Sequence, residues 1–338
     1  MRYIQNSIAL KILVLRFSSI GDIVLTFPVV RALKEQLPNS EIHYATKKQF
    51  SDLLKGCSYI DRVHVFEKRT IEIWSDLKKE NFDYIIDLHN NVRSRSLSGY
   101  LNKKTYRFSK LNVQKWLLVT LKWDYLPTSH VVDRYFETVL KLGVKNPDQN
   151  NSFYIPKEAV LNLEDWGLEP QDFVAIALGA QFKTKQFPYE KLINLIDQVL
   201  SPIVLLGGNS EEELAKRIID RYPERKIVNF TNKISILEAG FIVKNAASLV
   251  TNDTGIMHIA SCFDTPIHLT WGNTVRKFGM YSYRPQTLEL TSEYEVKLSC
   301  RPCSKIGFDK CPKGHHKCMM NIDESKIVEG IRRDLSNK

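Results

Sequence analysis

Short apolar runs of strand length recur along this chain, and each is followed by a stretch with the spacing of an amphipathic helix. A wholly apolar run has no face to turn to solvent, so it belongs inside a sheet covered on both sides. In the first half the runs are 11-KILVLRF-17, 41-EIHYAT-46, 62-RVHVFE-67 and 83-DYIIDL-88. Helical stretches separate them at 23-IVLTFPVVRALKEQL-37, 49-QFSDLLKG-56 and 71-IEIWSDLKKEN-81. Pro28 falls in the first turns of its helix, where it costs least. The second half repeats the alternation with strands 173-FVAIALG-179, 202-PIVLLGG-208, 226-KIVNF-230, 248-SLVT-251 and 267-IHLT-270. Its helices are 189-YEKLINLIDQVL-200, 209-NSEEELAKRIIDRY-222 and 235-SILEAGFIVKNA-246. The pattern predicts an α/β protein built as two parallel, doubly wound domains. The Asn- and Pro-rich stretch from Asn146 to Pro156 reads as the linker, which divides the chain into 1–155 and 156–338. A length of 338 residues is natural for two domains.

Composition narrows the class. With 43% hydrophobic residues and no apolar run near the ~18–20 needed to span a bilayer, the chain reads as a soluble globular protein. The apolar start carries Lys11 and Arg16 and leads into a strand–loop–helix unit, so it is not read as a signal peptide and a cytoplasmic location is expected. The net charge of +10 is uneven. Between Asn91 and Lys145, eleven basic residues stand against three acidic ones, a local balance of +8. Such a surface implies an anionic partner: nucleic acid, anionic lipid or a phosphorylated substrate. Within it, 115-KWLLVTLKWDYL-126 places Trp and Lys at both ends of an apolar run. A membrane-surface helix is one reading of that segment, and a packed helix of the first domain is the preferred one.

Polar loops fall where strands hand over to helices. The stretch 252-NDTG-255 follows an apolar strand and opens a helix, whose unpaired N–H groups and dipole favour an anion. Gly255 lets a phosphate approach the backbone closely. A helix cap alone would also explain Asp253 or Thr254. The loops 18-SSIGD-22 and 89-HNNVRSRS-96 sit at strand ends in the same way, and ligands of open α/β sheets bind at such ends. Arg93 and Arg95 are candidates for an acceptor's phosphates or carboxylates by charge and loop position.

Four segments in order, 13-LVLRFSSIGDIVLTFPVVRALK-34, 178-LGAQFKTKQFP-188, 205-LLGGNSEEELAKRI-218 and 251-TNDTGIMHIASCFDTPIHLTWG-272, closely resemble the ADP-heptose:lipopolysaccharide heptosyltransferases, glycosyltransferase family 9. The resemblance implies the GT-B architecture, two Rossmann-like domains facing across a cleft. It also implies inverting transfer of heptose from ADP-heptose to an anionic, lipid A-linked lipopolysaccharide core acceptor. No cofactor is required and no metal is held between DxD carboxylates. On this resemblance Asp22 matches the catalytic base, with Ser19 and Gly21 of its loop on the acceptor side. Inversion needs one carboxylate to take the acceptor proton, and a helix start favours the ionised form. Lys185 matches the lysine that neutralises the donor's phosphates, with Gln181 and Thr184 adding contacts. The family often has Thr earlier in this loop, where this chain has Gly179-Ala180-Gln181. Glu211 sits where a carboxylate holds the ribose, although Glu212 and Glu213 leave the register open. Asp253, Thr254 and Gly255 match the donor-binding elbow, and His258 lies one turn on, on the face of Thr254, as a site residue or a buried structural histidine.

Late in the chain Cys300, Cys303, Cys311 and Cys318 are spaced C-x2-C-x7-C-x6-C. Four soft ligands can hold a structural zinc, but the second pair is too widely spaced to be diagnostic, and thiols or a disulfide are preferred. The final helix, from Glu324 to Leu335, is expected to cross back to the first domain. The leading reading is a transferase at the inner face of the inner membrane, in peripheral contact with it and without nucleic acid as a partner. The alternatives are a GT-B transferase using another nucleotide sugar and a zinc-bearing nucleic-acid-binding protein. The last leaves unexplained why both halves present a motif at a strand end.

Overall fold

A computed structural model describes residues 10–336. The chain forms two compact units: one runs to Lys110 and resumes over Ser129–Tyr154, and the other comprises Leu111–Thr128 and everything from Ile155 onward. The segment Leu111–Thr128 therefore belongs to the second unit, although it lies within the stretch assigned above to the first domain.

The first unit holds a five-stranded sheet of β1 (Lys11–Leu15), β2 (Glu41–Lys47), β3 (Arg62–Phe66), β4 (Tyr84–Asp87) and β5 (Lys104–Arg107). Every pairing is parallel and the order is β3-β2-β1-β4-β5. Leu13 lies opposite both His43 and Ile85, so β1 is central, and Leu13, Leu15, Phe17, Phe66, Phe82 and Ile85 fill one face. The helices are α1 (Ile20–Val24), α2 (Phe27–Gln36), α3 (Trp74–Lys79) and α4 (Val92–Leu101). The single helix expected over 23–37 is two. The break follows Ile23, whose carbonyl accepts from the Thr26 hydroxyl at 2.7 Å, while that hydroxyl also meets Tyr44 Oη at 2.9 Å. The stretch expected as a helix over 49–56 is a tighter 3₁₀ turn, Lys48–Leu54. Residues 89–96 are not loop throughout, because Asn91 caps α4 by accepting from the Ser94 amide at 3.0 Å. Strand β5 lies in the basic stretch, where the apolar runs predict no strand.

The remaining helices are α5 (Asn112–Thr120) in the second unit, α6 (Val131–Phe136) in the first, and then α7 (Tyr189–Gln198), α8 (Glu212–Arg221), α9 (Ile236–Asn245), α10 (Gly255–Ala260), α11 (Lys317–Met320) and α12 (Glu324–Ser336) in the second. The second unit's sheet contains β6 (Val174–Ala177), β7 (Ile203–Leu206), β8 (Ile227–Asn229), β9 (Ser248–Asn252), β10 (Ile267–Trp271) and β11 (Thr291–Glu295). Its order is β11-β10-β9-β6-β7-β8, again all parallel. Alternate residues of β6 point to opposite cores: Val174 and Ile176 to one with Leu195 and Ile331, Ala175 and Ala177 to the other with Ile242 and Trp271. Both faces are covered, which is why the strand reads as continuously apolar. The final helix α12 packs in the second unit, where Glu324 meets Lys191 of α7 at 2.5 Å and Asp334 meets His268 of β10 at 2.8 Å. Among the described residues no helix is long and apolar enough to cross a membrane.

In each sheet the chain starts in the middle and winds outward both ways, so neighbouring crossovers diverge between β1 and β4 and again between β6 and β9. These are the switch points where open α/β sheets bind ligands, beyond the carboxyl ends of the strands. Because β6 is buried on both faces, Ile176→Ala is expected to lower the second unit's stability by about 2–5 kcal/mol, read as a fall in its urea midpoint.

Candidate active site

At the β1/β4 switch point the organising group is Arg16, one residue past β1 and buried. Its Nε donates to the Ser18 carbonyl at 2.8 Å, and one terminal nitrogen donates to the Leu88 carbonyl at 2.6 Å and to Tyr135 Oη at 3.1 Å. The other lies 2.6 Å from Asp22 Oδ1. Burial is the largest single effect and works against the guanidinium's charge, but Asp22, Tyr135 and Tyr44 together outweigh it, and the pKa of Arg16 lies above its ordinary value. The second oxygen of Asp22 accepts from the Ser19 hydroxyl at 2.8 Å and the Ser19 amide at 3.3 Å. The helix-cap and candidate-base readings of Asp22 thus coexist: it caps α1 and remains partly open to solvent. Ser19 is exposed and Gly21 is buried.

The adjacent β4–α4 turn is set by Asp87, which is fully buried. It accepts from the His89 and Asn90 amides at 3.1 and 2.7 Å and from the Ser94 hydroxyl at 2.9 Å. His89 packs on the Phe17 ring at 4.8 Å, and its Nδ1 is buried without a hydrogen-bond partner. Burial, reinforced by Arg16, Lys110 and Arg93, holds the His89 pKa down to about 3. Arg93 and Arg95 start α4, the first half-buried and the second exposed, with Arg95 Nε donating to Asn90 Oδ1 at 2.9 Å.

At the β6/β9 switch point Lys185 Nζ lies 2.6 Å from Asp253 Oδ2, which also accepts from the Thr274 hydroxyl at 3.0 Å. Asn252 ties the surrounding loops together. Its Oδ1 accepts from the Phe187 amide at 3.1 Å and the Thr270 hydroxyl at 2.9 Å, and its Nδ2 donates to the Gly179 carbonyl at 3.3 Å. Thr184 is not available to a donor as expected, because it is buried and clips two loops. Its oxygen accepts from the Phe308 amide at 2.8 Å, and its own proton is shared between Asn273 Oδ1 at 3.0 Å and the Phe308 carbonyl at 2.9 Å. Gln181 is exposed, Thr254 and Gly255 are half-buried, and His258 is buried in α10.

Of the three consecutive glutamates, Glu211 is the one turned inward. It accepts from the Gly208 amide and the Ser210 hydroxyl at 2.8 and 2.7 Å, while Glu212 turns to Asn232 at 2.9 Å. Gly179 permits this, since a Cβ there would sit 2.7 Å from the Glu211 carboxyl carbon. A cavity of about 400 Å³ opens beside Glu211, bordered by Lys183, Gln186, Tyr189, Arg217 and His316. Together these loops can hold an anion beside Lys185 and hydroxyl-bearing groups beside Glu211 and Asp253.

The late cysteines are free thiols, and no three of them lie within 4.8 Å of one another. Burial and the neighbouring Cys300 push the Cys303 thiol up to about 11. Among the described residues the ligand atoms that do gather are those of His43, His64 and Glu80. Each already has a protein partner: His43 Nδ1 meets His64 Nε2 at 2.8 Å, His43 Nε2 meets Glu41 at 2.7 Å, and Glu80 accepts from Lys11 at 2.9 Å. Sequence reasoning missed Arg16, Asn252 and His89 as site-forming residues. Arg16 was legible, being the one cation near the end of an otherwise apolar strand run.

Paired Rossmann-like units with charged loops at both switch points are the construction of GT-B glycosyltransferases. The profile of Glycosyltransferase family 9 (heptosyltransferase) matches residues 70–304, more than half the chain, and the protein belongs to that family. It is similar to the lipooligosaccharide heptosyltransferase 2 of Campylobacter jejuni, with 24% identity over 93% of this chain and 96% of the relative. Among solved structures it resembles the family 9 glycosyl transferase of Veillonella parvula, with a TM-score of 0.79, 20% identity and coverage of 97% and 98% of the two chains. It also resembles the Escherichia coli heptosyltransferase WaaC with ADP, with a TM-score of 0.65, 18% identity and coverage of 96% and 100%.

His89 gives a measurable signature. The unfolded chain takes up a proton near pH 6.5, whereas the folded site resists it down to about 3. Stability is therefore complete above pH 6.5 and is lost as pH falls toward 3, by on the order of a few kcal/mol. Urea midpoints measured across that range are expected to fall with acid in the wild type and to fall less steeply in His89→Asn.

Proposed function

We propose that this family 9 enzyme transfers a heptosyl group from ADP-heptose to a lipid A-linked lipopolysaccharide core acceptor, with inversion, and that Asp22 is the general base. The acceptor oxygen attacks the anomeric carbon as its proton passes to the Asp22 carboxylate, and the bond from that carbon to the ADP oxygen breaks. Arg16 and Ser19 orient the carboxylate and keep its charge compensated. The leaving diphosphate gains charge, which Lys185 and the amides at Thr254 and Gly255 are placed to meet. Glu211 takes the ribose hydroxyls and Asp253 those of the sugar. Arg93 and Arg95 are assigned to the acceptor's anionic groups. The observation that carries this reading is the Lys185–Asp253 pair at the β6/β9 switch point, a cation and a carboxylate within 2.6 Å of each other where a nucleotide diphosphate would lie.

Calorimetric titration with ADP, UDP and GDP at fixed salt tests it. ADP is expected to bind selectively, with affinity falling about 10- to 100-fold in Lys185→Ala, as for loss of a charge-assisted hydrogen bond. Asp22→Asn should leave ADP affinity in place and lower kcat by about 10²–10⁴-fold. A preference for UDP or GDP would move the donor, and failure to bind any of the three would overturn the reading.

A further inference from the structure

The helix α5 and the turn after it, preferred above as a packed element, bury one side and leave the other bare. Leu118 forms a small core with Leu126 and Phe278, and Leu111, Val119 and Val275 pack against it. Along the same segment Val113 is 67% exposed, Trp116 54%, Leu121 42%, Trp123 56% and Tyr125 66%. Exposed apolar residues scattered singly need no explanation, but five within one short segment form a patch. The backbone under it is held: Lys122 Nζ donates to the Pro302 carbonyl at 2.7 Å, and Asp124 pairs with Lys277. The aromatic side chains are thus displayed from a fixed frame.

The charge around the patch is positive. Lys115 lies on the segment itself, whereas the Lys122 ammonium is taken up by the Val119, Cys300 and Pro302 carbonyls. Lys305 Nζ reaches Asn112 Oδ1 at 3.3 Å, which brings the Cys-rich segment alongside the start of α5, with Ile306 beside it 59% exposed. That segment continues with Lys310, Lys313 and Lys317 against Asp309 alone. Trp and Tyr suit the depth of lipid headgroups, where a ring is half in hydrocarbon and its polar edge stays wet. Lysines beside them gain from anionic headgroups and are depleted in the cores of protein–protein interfaces. The segment is too short to span a bilayer, so it can only lie on one.

We infer that this face of the second unit seats on an anionic bilayer surface, with Trp116, Trp123 and Tyr125 at headgroup level and the neighbouring lysines on headgroup phosphates. The inference adds a membrane-docking surface to the transferase reading, and its test uses no catalysis.

The experiment is cosedimentation of the full chain with vesicles of phosphatidylcholine alone or mixed with phosphatidylglycerol, alongside quenching of tryptophan fluorescence by brominated lipid. The wild type should bind the anionic vesicles, release with added salt, and be quenched. Trp116→Ser/Trp123→Ser should bind them at least about tenfold more weakly while keeping the wild-type affinity for ADP. No sedimentation of the wild type with anionic vesicles, or equal binding of the double variant, would overturn the inference. So would a wild-type dimer that the double variant dissolves, since a second copy would then cover the face. ADP titration on the same preparations keeps the two readings apart, because loss of ADP binding bears on the transferase and vesicle binding on the surface.

Discussion

Burial of both sheets on both faces is the constraint from which the arrangement of charged groups follows. A strand such as β6 sends Val174 and Ile176 into one core and Ala175 and Ala177 into the other, so no position along it is free for a polar side chain. Chemistry is left to the strand ends. The amino ends receive crossovers from the helices, while the carboxyl ends open into loops whose backbone N–H groups face outward. Where neighbouring crossovers diverge, at β1/β4 and β6/β9, the loops spread and leave room. Asp22, Lys185 and Asp253 lie in loops or first turns after β1, β6 and β9, and Glu211 follows the neighbouring β7.

Charges in partly buried loops must be compensated, and each switch point does this with an opposite charge at 2.6 Å. The two pairs differ in what surrounds the cation. Arg16 has every side-chain nitrogen engaged, to Ser18, Leu88, Tyr135 and Asp22, so it is a permanent support that fixes its carboxylate partner. Lys185 is a flexible point charge that donates to Asp253, and Asp253 keeps Thr274 as a second donor. An arriving phosphate can therefore draw Lys185 away without leaving Asp253 unpartnered. A support and an exchangeable partner are what a base and a leaving-group cation, respectively, require in the proposed reaction.

Most of the fold was legible because most of it obeys one rule. Strands β1, β2, β4, β6, β7, β9 and β10 are runs whose apolar character follows from burial, and these and the less buried edge strands β3 and β8 lie within a few residues of the runs read from the sequence. The elements that escaped do not follow the rule. Strand β5, Lys104–Arg107, lies at the sheet edge and is half-exposed, so its basic residues conceal it. Strand β11, Thr291–Glu295, is the opposite edge of the other sheet and is equally polar. Helix α4 was read as loop because its first turn holds Arg93, Ser94 and Arg95, yet the Asn91–Ser94 cap is a local signal that a closer reading could have used. The membership of Leu111–Thr128 in the second unit rests on contacts of Leu118 and Lys122 with residues far along the chain, which no local pattern encodes. Among candidate site residues, Thr184 is taken up by structural hydrogen bonds to Phe308 and Asn273, partners far along the chain that no local pattern encodes.

The Cys-rich segment makes several contacts with the loop that carries Thr184. Phe308 brackets Thr184 through both its amide and its carbonyl, His316 Nε2 meets the Thr184 carbonyl at 3.3 Å, and the Cys303 amide donates to the Asn273 carbonyl at 3.1 Å. On the other side of the same residue, a Cβ at Gly272 would lie 2.3 Å from the Thr184 oxygen, so β10's exit and the Thr184 loop touch backbone to backbone. Thr184 is thus held from two directions, and Lys185 is the next residue. A lysine has four rotatable side-chain bonds to fix on binding, and a backbone already held in place spares the further cost of ordering the loop. The Cys-rich segment therefore helps to fix the backbone of the loop that carries Lys185.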